Sequence, residues 1–261
     1  MLAALESGDA KKLSELMRQD HGFNVNMVLD GHERTLLHYA CTERSGSAVI
    51  PLLLAHPDID VNVKDITGGT PFYLACANGH TSCVCELLKD SRVNVKEPIM
   101  FGSTPLHRAA RWGHLDIITW WIAFGREMDL GKPGDVYKTD AIGMAKKYGK
   151  TKVVTLLERF KSDAAQTRHA VRVELGWHDN LAAEMFALVV FVSDGLLQIN
   201  STTAPSPAAR YFSIAAQVPL ELQMVLCYRL VGSAKEIIPG KDSEAAFKSL
   251  AETLLWSSIS N

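Results

Sequence analysis

In the first 160 positions, apolar residues fall at helical spacing in short paired segments rather than in long runs. Val84, Leu87 and Leu88 form a stripe in TSCVCELLK, and Ile117, Ile118, Trp121 and Ile122 form the same stripe in LDIITWWI. A shorter helix that opens on a cap signal precedes each of them. TLLHYA (35–40), TPFYLA (70–75), TPLHRA (104–109) and a worn copy, DAIGMA (140–145), recur about 35 residues apart. Thr70 and Thr104 offer a side-chain oxygen to an orphan N–H. Pro71 and Pro105 fill the first helical position, where no N–H is needed. Gly79 and Gly113 are suited to end the helix at positive φ. Ala40, Ala75, Ala109 and Ala145 are small enough for neighbouring helices to approach closely.

Two further landmarks keep step. NGHTSCVCELL, WGHLDIITWWI and YGKTKVVTLLE open the second helices, with the looser RSGSAVIPLLL in the first repeat. FNVN (23–26), IDVN (59–62) and RVNV (92–95) precede the helix pairs. Together these motifs resemble the ankyrin repeat, with its period of about 33 residues and its T-P-L-H-x-A signature. The likeness covers about 1–160. ALESGDAKKLSELMRQ resembles a shortened N-terminal cap, since Gly8 stands where Gly79 and Gly113 stand. Leu36 replaces the signature proline in the first full repeat. Asp140, Ala141 and Gly143 replace Thr, Pro and His in the fourth. One unit cannot bury its apolar face alone, so the units are expected to stack. The fold class expected is all-α: an ankyrin-like solenoid with short β-hairpin-type finger loops, followed by a C-terminal helical bundle. Insertions before Pro98 and around LGKPGDVYK are expected to lengthen the loops.

The period stops after LLERFKSD, which sets the expected domains at 1–160 and 161–261. AAQTRHAVRVEL reads as a helix with charged faces. NLAAEMFALVVFVSDGLLQI follows Asp179 as a helix cap, with Leu181, Met185, Leu188 and Val192 as its stripe. It is apolar nearly all round, which suits the centre of a bundle. Ser206-Pro207 starts another helix, with Ala209, Phe212 and Ala216 inward. LELQMVLCYRLV follows Pro219, and Asp242 caps SEAAFKSLAETLLW. VPLELQMVL faintly resembles the start of an F-box, in which Pro219, Leu220, Leu222, Val225 and Leu226 would touch a ubiquitin-ligase subunit. An F-box-like or SOCS-box-like tail would make the chain a substrate adaptor. A capping bundle explains the same residues without it.

Charge narrows the function. Lys plus Arg total 27 against 29 for Asp plus Glu, so the chain as a whole is no nucleic-acid module, although a local basic patch is compatible with that balance. MLAALESGDAKKL lacks the apolar centre of a signal peptide, and the run MFALVVFV is too short to span a bilayer. Five cysteines show no disulfide spacing. These features point to a cytoplasmic protein, the nucleus not excluded, with no membrane partner; the Asn200-Ser201-Thr202 sequon then carries no meaning.

Four features of the sequence bear on chemistry. Cys76, His80, Cys83 and Cys85 resemble zinc ligands, but residues two apart on a helix diverge, and the repeat register assigns each a packing position. His38 and His107 match the family's structural histidine, and His114 follows a repeat glycine. Asp179, Glu184, Asp194, His169 and His178 would make an acid–base site only if the fold gathered them. No phosphate loop or nucleophile elbow is present. No catalytic residue, cofactor, metal or small-molecule substrate is expected.

What the resemblance implies is protein binding on a concave face built from loop tips and first helices. Matching each repeat to its signature places Arg34 and Tyr39 there from the first repeat, with His32 and Glu43. The second gives Ile66 and Asn78, with Thr67 and Leu74. The third gives Met100, Phe101, Arg108, Arg111 and Trp112, and the fourth Lys147 and Tyr148, with Met144. Phe101, Arg108, Arg111, Trp112 and Tyr148 are expected to anchor a protein partner, because Arg and aromatic residues dominate binding hot spots. Trp121 is expected in the core and Trp120 at its margin.

Overall fold

The computed structural model describes residues 2–20, 22–100, 102–131, 139–194, 211, 214–217, 219–231, 238 and 240–257, with the side chains at 221, 240, 241 and 252–257 excepted. The chain divides into two compact units, Met1–Val171 and Arg172–Asn261. The described residues are helical, and no strand forms among them.

In the first unit, short helices alternate along two rows. The first row comprises α1 (Leu2–Ser7), α3 (Leu36–Thr42), α5 (Pro71–Asn78), α7 (Pro105–Trp112) and α9 (Ala141–Lys147). The second comprises α2 (Ala10–Gln19), α4 (Ile50–Leu54), α6 (Thr81–Lys89), α8 (Leu115–Phe124) and α10 (Thr151–Ser162). α3 packs on α5, α5 on α7 and α7 on α9, while α4 packs on α6, α6 on α8 and α8 on α10. α4 is shortened because the chain first turns once through Gly46–Ala48 and Pro51 then opens the helix.

The cap signals act as the sequence predicts. Thr70 accepts from Tyr73 N–H and Thr104 from His107 N–H, while Pro71 and Pro105 take the first turn. Asp140 does the same for α9, accepting from Gly143 N–H at 2.7 Å. Gly79 has φ 78°, and a Cβ there would lie 2.5 Å from the His114 ring. That ring donates from Nε2 to Ala77 O, so Gly79 answers both to the turn and to the next repeat's approach. Val84, Leu87, Leu88, Ile117, Ile118, Trp121 and Ile122 are all buried. Trp121 meets Phe72 edge-on at 5.0 Å, joining α8 to α5.

The first three finger loops are each spanned by a backbone bond, Leu29 N–H to Arg34 O, Asp65 N–H to Gly69 O and Ile99 N–H to Ser103 O, with an inner turn bond from Glu33, Gly68 and Gly102 N–H to Asp30, Asp65 and Ile99 O. No β-strand forms in these loops among the described residues. The loops also bond in series, Ile66 N–H to His32 O and Met100 N–H to Thr67 O. At the opposite turns, Asn26 Nδ2 donates to Asp58 O while Asp60 N–H donates to Asn26 Oδ1. Asn62 repeats this with Arg92 O and Asn94 N–H. The recurring asparagine of the FNVN and IDVN motifs is therefore an inter-repeat clasp, each side chain satisfying two backbone groups of the next unit.

α11 (Ala164–Glu174) crosses the division between the units. In the second unit, α12 (Trp177–Ser193) packs against α13 (Leu220–Leu230) and α14 (Gly240–Ser257). The α12 stripe differs from the expected one. Ala182, Ala183, Phe186, Ala187 and Val189 are fully buried, and Leu181 and Leu188 only partly. In a helix apolar on all sides, small residues decide which face admits neighbours. α12 also begins at Trp177, ahead of Asp179, after Gly176 takes a left-handed turn. α14 likewise starts ahead of Asp242. Most of the helix expected from Ser206 lies outside the described residues. No single helix among the described residues is long and apolar enough to cross a membrane.

Candidate functional site

The outer edge of the first-helix row carries the repeat variation. Seven and eight residues beyond each cap, the successive repeats present Thr42-Glu43, Ala77-Asn78, Arg111-Trp112 and Lys147-Tyr148. The last two repeats thus end their first helices on a cation followed by an aromatic ring. Arg111 places its guanidinium 5.5 Å from the Trp112 ring and 4.7 Å from the Tyr148 ring. Lys147 Nζ lies 6.0 Å from the centre of Tyr148. Such contacts contribute about 0.5–1 kcal/mol each where exposed. They also restrict side chains that would otherwise lose more freedom on binding. Trp112 remains 54% exposed and Tyr148 39%.

Arg108, one turn earlier on α7, lies 5.8 Å over the ring of Tyr73 and donates from Nε to the Tyr73 hydroxyl. Met100 is 71% exposed, and Ile66 and Asn78 are also exposed. Phe101 lies outside the described residues. Arg34 is half-covered and sits 3.7 Å from the buried carboxylate of Asp65. Tyr39 donates to Asp30 Oδ2 at 2.8 Å. These last two are engaged in holding the first loop and present less free surface than the third-repeat set. Met144 is buried, a correction to its expected place on this face: its flexible apolar side chain packs into the core, where the equivalent Tyr39, Leu74 and Arg108 stay partly exposed.

The first two loops are each folded around a turn aspartate. Asp30 accepts from His32 and Arg34 N–H, and Asp65 from Thr67 and Gly69 N–H, so each carboxylate folds its own turn. Burial raises the Asp65 pKa, but the hydrogen bonds from Thr67 and Gly69 outweigh it and hold the group below the ordinary carboxylate value. An aspartate five residues ahead of the cap threonine, at Asp30 before Thr35 and Asp65 before Thr70, is the signal in the sequence, and Ile99 holds that place before Thr104.

The histidines are structural. His38 Nδ1 accepts from Thr35 N–H and its Nε2 bonds to Gly69 O of the next repeat. His107 does the same with Thr104 N–H and Thr139 O. Burial holds both below the usual imidazole value, so both stay neutral. Cys76 and Cys83 are buried, with Cys83 Sγ 3.6 Å from Ala40 O. Burial pushes the Cys83 thiol up to about 11 and Cys85 up to about 12, the reverse of what a metal-binding thiolate needs. Among the described residues no three His, Cys, Asp or Glu side chains gather as a metal site. In the second unit, His178 Nδ1 bonds to Val231 O, while Glu184 and Asp194 are exposed.

Comparison with known proteins agrees with the geometry. The family model for ankyrin repeats matches three times, at 1–97, 37–130 and 72–168. Human SMC5-SMC6 complex localization factor protein 1 is 33% identical over 149 residues, 54% of this chain and 14% of its own length. A putative ankyrin repeat protein of Rickettsia bellii (strain RML369-C) is 34% identical over 85 residues, 33% of this chain and 46% of its own. Human Rabankyrin-5 is 47% identical over 58 residues, 22% of this chain and 5% of its own. The chain spans less than half the length of each of these relatives. Family matches over most of the chain, joined to stacked helix pairs with the signature caps, show that it belongs to the ankyrin repeat family.

Proposed function

We propose that this chain is a non-catalytic scaffold or adaptor that binds a protein partner on the concave face formed by its finger loops and first helices. One observation carries the reading: the Arg111 guanidinium lies over both the Trp112 and the Tyr148 rings, and both rings keep substantial exposure. A folded repeat does not need that much exposed aromatic surface, and a pre-ordered Arg–aromatic group is the type that supplies most of an interface's energy. Ile66, Asn78 and Met100 extend the surface toward the earlier repeats. Side chains fixed by the scaffold reduce the entropy lost on docking.

The test is affinity capture from extract with the intact chain, the Trp112→Ala variant and the Arg111→Ala variant, each checked by thermal melting. The reading expects loss of specific capture at an unchanged Tm. A lowered Tm with undiminished capture would reassign both side chains to packing. The narrower ubiquitin-ligase reading draws on Leu220 and Leu222, which are about half exposed, whereas Val225 and Leu226 are only partly so. A pull-down lacking any cullin-linked subunit removes it.

A further inference from the structure

Arg108, Arg111 and Lys147 give the docking face a sign. α5, α7 and α9 carry no Asp or Glu along their lengths. Their cations are Arg108, Arg111, Lys146 and Lys147, of which Lys146 is paired with Glu158 of α10. No carboxylate pairs with the other three among the described residues. Of the carboxylates nearest in sequence, Asp140 caps α9 and Asp116 stands in the first turn of α8 on the second-helix row, while Asp129 accepts from Gly131 N–H and Glu127 pairs with Lys96. The nearly balanced total charge of the chain hides this local excess.

The three cations are also held in place. Arg108 is fixed through Nε by the Tyr73 hydroxyl, which leaves its terminal nitrogens unspent. Arg111 lies over two rings, and its Nε is covered without a hydrogen-bond partner. The group is therefore held by ring contact, and its terminal nitrogens are left for an incoming acceptor. A fixed planar guanidinium suits a carboxylate, which can accept two parallel N–H bonds. The rings beside it suit an apolar or aromatic neighbour in the same segment.

We infer that the third and fourth repeats bind an acidic protein segment, in which an Asp or Glu carboxylate docks on Arg111, flanked by Arg108 and Lys147, and an adjacent apolar side chain rests on Trp112 and Tyr148. This rests on the proposed docking function and specifies its partner's chemistry. The first loop, with Asp30 and Glu33, does not share the excess, so the acidic part of the partner lies toward the later repeats.

The experiment is fluorescence anisotropy with the full chain and a labelled short peptide of Asp and Glu interspersed with Leu and Phe. Its Asn/Gln counterpart, a Lys counterpart and single-stranded DNA serve as comparison probes. The acidic peptide should bind, and added salt should weaken binding, since exposed charge pairs are screened. Arg111→Gln or Lys147→Glu should weaken it about tenfold or more at an unchanged Tm. Arg111→Lys should recover only part, because an ammonium cannot reproduce the stacked fork. Absence of binding, equal binding of the Asn/Gln peptide, preference for the Lys peptide or DNA, or indifference to Arg111 and Lys147 overturns the inference. If acidic binding is absent while capture from extract still depends on Trp112, the docking function stands and only this partner chemistry falls.

Discussion

The third and fourth repeats share a plan but finish it differently. Thr104 and His107 form a reciprocal cap, and His107 then reaches on to Thr139 O of the next repeat. In the fourth repeat, Asp140 caps α9 alone, and Gly143 stands where the histidine would be. A Cβ at that position would lie 1.8 Å from the Thr139 hydroxyl oxygen. Each earlier repeat hands a bond forward: His38 to Gly69 O, Tyr73 by accepting from Arg108, and His107 to Thr139 O. The fourth, with no further repeat of its kind to meet, keeps only the local cap. The signature histidine is therefore a device for joining repeats as much as for starting a helix, and tyrosine can replace it where the next repeat supplies an arginine.

The largest effect that would sharpen this contrast comes from the packing between internal repeats. Trp121→Ala should destabilise the first unit by about 3–5 kcal/mol in urea titration, because Trp121 is 1% exposed and packs on Phe72 of the preceding repeat. Trp120→Ala, at the partly covered neighbouring position, should cost less than about 1 kcal/mol.

The bond handed forward comes next. His107→Ala should cost about 1–3 kcal/mol, since Thr139 O loses its partner and the cap loses its reciprocal half. Asp140→Ala should cost about 1 kcal/mol, the usual size of a lost cap. Equal costs at the two sites would show that the forward bond adds nothing.

Acidification gives a smaller signal with a defined sign. Burial lowers the folded pKa of His38 and His107, so the unfolded chain takes up the protons first. Their contribution is complete above the ordinary imidazole value of 6.5 and is lost as pH falls below it toward the depressed folded values. Urea midpoints should drop between about pH 7.5 and pH 5.5, and the drop should shrink in a His38→Gln/His107→Gln variant. The smallest effect belongs to Trp112→Ala, whose melting temperature should stay close to that of the parent because its ring is largely exposed.

Much of the first unit was legible because each repeat writes the same physical requirements again. Thr70, Pro71, Ala75 and Gly79 can be matched to Thr104, Pro105, Ala109 and Gly113, and the core stripes follow. The asparagine clasp was visible as a recurring motif, but its job needed the next repeat's backbone. The Tyr73–Arg108 bond was hidden because it joins unlike residues in adjacent units. α12 was misread on its face for a different reason: an all-round apolar helix holds no periodic signal to choose among its sides. At the proposed docking face, the repeat register places Arg111, Trp112 and Tyr148, while the contact of Arg111 with both rings is a product of packing α7 against α9.

The most direct measurement is site-specific photo-crosslinking of the intact chain in extract, with the probe placed in turn at Asn78, Met100, Asp116 and Lys152. Asn78 and Met100 lie on the proposed face, and Asp116 and Lys152 are exposed on the second-helix row. The account predicts one shared protein adduct from Asn78 and Met100, absent from Asp116 and Lys152 and lost on Trp112→Ala. Adducts arising equally from the second-helix row, or persisting in the Trp112 variant, would contradict it.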